Sequence, residues 1–78
     1  MQRVNVVLAH EIDPDVRGLG DFATWDEAEA EVARRCGGSL PRARPVPTNT
    51  DEYTFTHVGR IVEYVSGQDV YRVTLFLS

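Results

Sequence analysis

The stretch from Arg60 to Leu77 limits the folds open to this chain more than any other. It is rich in β-branched and aromatic residues on both sides of Ser66-Gly67-Gln68-Asp69, a strong hairpin signal. A two-residue loop with Gly67 first suits a type II′ turn. It pairs Val65 with Val70, Tyr64 with Tyr71, Glu63 with Arg72, Val62 with Val73 and Ile61 with Thr74. The opposed charges of Glu63 and Arg72 favour that register. One face then carries Val62, Tyr64, Tyr71, Val73, Leu75 and Leu77. The other carries Ile61, Val65, Val70 and Phe76 around Glu63, Arg72 and Thr74. Both faces are apolar enough to need cover.

Only one helix is written into the sequence. Thr24-Trp25-Asp26-Glu27 has the capping-box form, Asp26 and Glu27 sit at the positive end of the helix dipole, and Arg34 and Arg35 sit at its negative end. Gly37-Gly38 ends it, with Gly37 suited to a left-handed closing residue. Trp25, Ala28, Val32 and Cys36 form one apolar stripe, while Glu27, Ala30, Glu31 and Arg34 take the opposite side. A single helix covers one sheet face, so the second face, rimmed by charge, is expected to remain exposed as an interaction surface.

Val4, Val6 and Leu8 predict a first strand over residues 3 to about 10. Asp13-Pro14-Asp15 and Gly18-Leu19-Gly20 predict a mobile loop up to about Phe22. Residues 39–50, with Pro41, Pro45 and Pro47, read as an extended connector, too proline-rich for helix or inner strand. Strands are expected near 53–58, 60–65 and 70–77, with Gly59 as a bulge or a tight bend between the first two. The expected fold is therefore α+β: a single domain over residues 1–78, an antiparallel sheet of about four strands in the order β-α-β-β-β, and one helix packed on one face.

A chain of 78 residues builds a thin core, and domains this small often lean on a metal, a disulfide or a partner. An internal disulfide is excluded because Cys36 is the only cysteine, which makes a partner the more plausible aid. No secretory leader pattern or membrane-length apolar stretch is seen, so a soluble, cytoplasmic chain without membrane contact is expected. The cations are all arginine, a habit of GC-rich bacterial or phage genomes. The net charge of −4 argues weakly against general affinity for nucleic acid. Its distribution is uneven: acids crowd the front, and Arg34, Arg35, Arg42 and Arg44 fall together.

Candidate chemistry is sparse. His10, Glu11 and Asp13 could bind a divalent metal, but a strand end running into an acidic turn explains the same residues. Cys36 and His57 would need to meet to act as nucleophile and base, and Cys36 lies on the apolar stripe at the helix end that disfavours a thiolate. Gly18-Leu19-Gly20 and Gly37-Gly38 lack the strand-to-helix setting of a phosphate loop. Arg42 and Arg44 on a stiff loop could meet phosphates, though no aromatic residues interleave with them.

These readings converge on a non-enzymatic protein-binding module without cofactor: an inhibitor, adaptor or immunity-type protein, of which phage inhibitors of CRISPR complexes are one example. Its expected contact residues are Ile61, Glu63, Val65, Val70, Arg72 and Phe76 on the sheet and Glu27 and Glu31 on the helix, with another protein or a second copy as partner. A small nucleic-acid-binding protein using Arg42 and Arg44 is the first alternative, and an accessory enzyme subunit or metalloprotein the second.

Overall fold

The computed structural model describes residues 2–10, 12, 15–46 and 58–77. The elements are β1 (Gln2–His10), β2 (Val16–Phe22), α1 (Trp25–Arg35), β3 (Arg42–Pro45), β4 (Val58–Ser66) and β5 (Asp69–Leu77). They form one five-stranded sheet in the order β2-β1-β5-β4-β3, with every neighbouring pair antiparallel. Among the described residues the α+β class and the one helix are as expected, but the sheet has five strands rather than about four.

The C-terminal hairpin has the expected register at all five pairs, from Val65 opposite Val70 to Ile61 opposite Thr74. Gly67 takes a φ of +63°, which a side chain would resist. Gly59 lies in a bulge, since β4 advances from Val58 to Arg60 while β5 moves only from Phe76 to Leu75. The extra residue puts Val58 beside Phe76 and leaves Arg60 on the helix side, where its guanidinium lies 4.3 Å from the Trp25 ring centroid. Apart from Val58, the strand expected near 53–58 lies outside the described residues.

Helix α1 begins at its expected N-cap. The Thr24 hydroxyl accepts from the Glu27 amide at 3.2 Å, and the Glu27 carboxylate accepts from the Ala23 amide at 3.3 Å, one residue earlier than the standard box. At the other end the Gly38 amide donates to the Ala33 carbonyl at 2.8 Å, and Gly37 has a φ of +84°. The stripe packs as predicted. Ala28 and Val32 are fully buried against Val4, Val6, Val62, Tyr64, Tyr71 and Val73, and Trp25 and Cys36 flank them. Tyr64 ties sheet to helix, its hydroxyl donating to the Glu29 carboxylate at 2.6 Å.

The two additional strands form the sheet edges. Residues 16–22, expected as loop, pair with β1 from Ala9–Val16 to Val4–Phe22. Leu19 is an extra residue between Gly18, opposite Val7, and Gly20, opposite Val6. Alternation alone would send Leu19 and Phe22 to opposite faces, and the bulge lets both pack on the core. Gly20 has a φ of +144°, open to glycine and strained for other residues.

Strand β3 forms inside the proline-rich connector because of parity. The Val46 amide donates to the Ile61 carbonyl at 3.1 Å, so in antiparallel pairing residues 44 and 42 also turn their backbone polar groups toward β4. Residues 41, 43 and 45 turn theirs away from the sheet. Pro41 and Pro45 occupy outward positions, where the missing N–H costs no ladder bond.

Candidate functional site

The pairing places Arg42, Val65, Val70, Ala9 and Val16 in one row across the sheet face opposite the helix. The next row runs Arg44, Glu63, Arg72, Val7. A third holds Ile61, Thr74, Asn5 and Asp21, and a fourth holds Val58, Phe76 and Arg3. The sheet residues expected to share a face do share one.

That face is less open than expected. Ile61 is 5% exposed, Val70 6% and Glu63 9%, whereas Val65, Arg72 and Phe76 are half-buried. Charged side chains fixed upon the face account for part of this cover. Arg44 donates to Glu63 Oε1 through Nε at 3.1 Å and Nη2 at 2.8 Å, and Arg72 donates to Oε2 through Nε at 3.2 Å and Nη2 at 2.9 Å. The Arg3 guanidinium lies 4.9 Å from the Phe76 ring centroid.

Burial pushes the Glu63 carboxyl toward its neutral form, but the hydrogen bonds and charges of Arg72 and Arg44 outweigh it and hold the pKa below the usual glutamate value. Glu63 is thus an internal counter-ion, and of the four arginines on the face Arg3, Arg42 and Arg44 are exposed.

The helix acids are also engaged. Glu27 caps the N-terminus, and Glu31 accepts from Arg34 and Arg35, each at 2.6 Å, so its pKa is lowered by those bonds. Neither is the unattached carboxylate a purely acidic docking helix would present.

On the metal side, His10 Nδ1 accepts from the Ile12 amide at 3.3 Å, and Glu11 and Asp13 lie outside the described residues. Among the described residues no group of His, Cys, Asp and Glu converges to hold an ion. Cys36 is the half-buried C-cap of α1, and His57 lies outside the described residues. Among the described residues, one groove of about 390 Å³ runs along Arg42, Arg44 and Val65, and another of about 550 Å³ lies between His10, Asp15, Arg17 and Asp69.

Sequence reasoning treated Arg42 and Arg44 as loop charges and did not join them to Glu63 and Arg72. The signal was present in Pro41-Arg42-Ala43-Arg44-Pro45, where arginines alternate with residues suited to an outward edge. No protein-family model, curated protein or solved structure matches this chain.

Proposed function

We propose that this chain is a non-enzymatic protein-binding module of the inhibitor, adaptor or immunity type, working in the cytoplasm. The observation that carries the reading is the sheet face opposite the helix. It combines arginines from β1, β3 and β5 with the half-buried Val65 and Phe76. Arginine and aromatic residues are enriched at protein interfaces.

The test is capture of a partner from the host, followed by binding measurements on purified components with Val65→Asp and with Phe76→Ser beside the wild type. Ile61 is too buried to serve, since a charge there would disturb folding. Binding reduced about tenfold or more in a variant that keeps its melting temperature is the expected result. Light scattering over a concentration series identifies a second copy as the partner. Wild-type binding in both variants, or a monomer that binds no protein, overturns the reading.

A nucleic-acid reading has one observation in its favour: Arg42 and Arg44 share a face and line one groove. It predicts a mobility shift with single-stranded or duplex probes at low salt that fades as salt rises.

A further inference from the structure

We draw no further inference here: the strongest candidate, the outer sheet edge at β2 with the exposed Val16 beside the groove of His10, Arg17 and Asp69, is interrupted by the bulge at Leu19, and nothing in the structure shows what covers it.

Discussion

Glu63 and Tyr64 are neighbours in sequence and point to opposite faces of β4, and each answers a different end of the pH scale. Glu63 is held ionised by Arg72 and Arg44 despite its burial. Its folded pKa is lowered, so the stability it supplies is present above the ordinary glutamate range and is lost as pH falls through the folded value. Glu63→Gln is expected to cost about 1 kcal/mol at neutral pH, because both arginines are partly solvated and the pair is correspondingly screened. The gap in melting temperature between the two proteins should close on acidification. A gap that stays constant down to strong acid would contradict the assignment. Tyr64 works in the opposite sense. Burial, and then the Glu29 carboxylate that accepts its proton, push its pKa up to about 12. Its contribution is complete below the ordinary tyrosine pKa and is lost as pH rises from there through about 12. Tyr64→Phe is expected to cost about 1–2 kcal/mol at neutral pH and to flatten the alkaline fall in melting temperature.

At the level of elements, the helix and the C-terminal hairpin were legible because their signals are local. The Thr24 cap, the Gly37 close, the Trp25-to-Cys36 stripe and the Glu63–Arg72 match lie within a few residues or across one tight turn. Strands β2 and β3 were not legible, because a partner's backbone defines them. Nothing within Val16–Phe22 signals a strand until β1 supplies the ladder, and Gly18 and Gly20 weaken its own preference. The prolines near β3 argue against a strand unless the side facing its neighbour is known. That parity makes a prediction. Pro45→Val restores an outward N–H and a β-branched side chain on an exposed edge, and removes one of the devices that keep sheet edges from pairing. Greater self-association in sedimentation velocity is expected, with the fold unchanged by circular dichroism. A variant as monomeric as the wild type would mean that Pro45 does not guard the edge.

Across the whole molecule, the order β2-β1-β5-β4-β3 puts the last strand in sequence at the centre of the sheet and the strands least legible in sequence at its margins. The sheet was readable at its middle, but its width, and hence what the second face contains, was not. Without β3, Arg42 and Arg44 are loop charges; with it, they join Glu63 and Arg72 in one row. Stability should grade in the same way. Strand β5 is bonded on both flanks, to β1 and β4, and carries the fully buried Val73, whereas β3 is four exposed residues bonded on one side. Native-state hydrogen exchange is therefore expected to be slowest at Val73 and its neighbours in β5, with opening energies near that of global unfolding. The amides of Arg42 and Arg44, though turned toward β4, should exchange far sooner through local release of the edge.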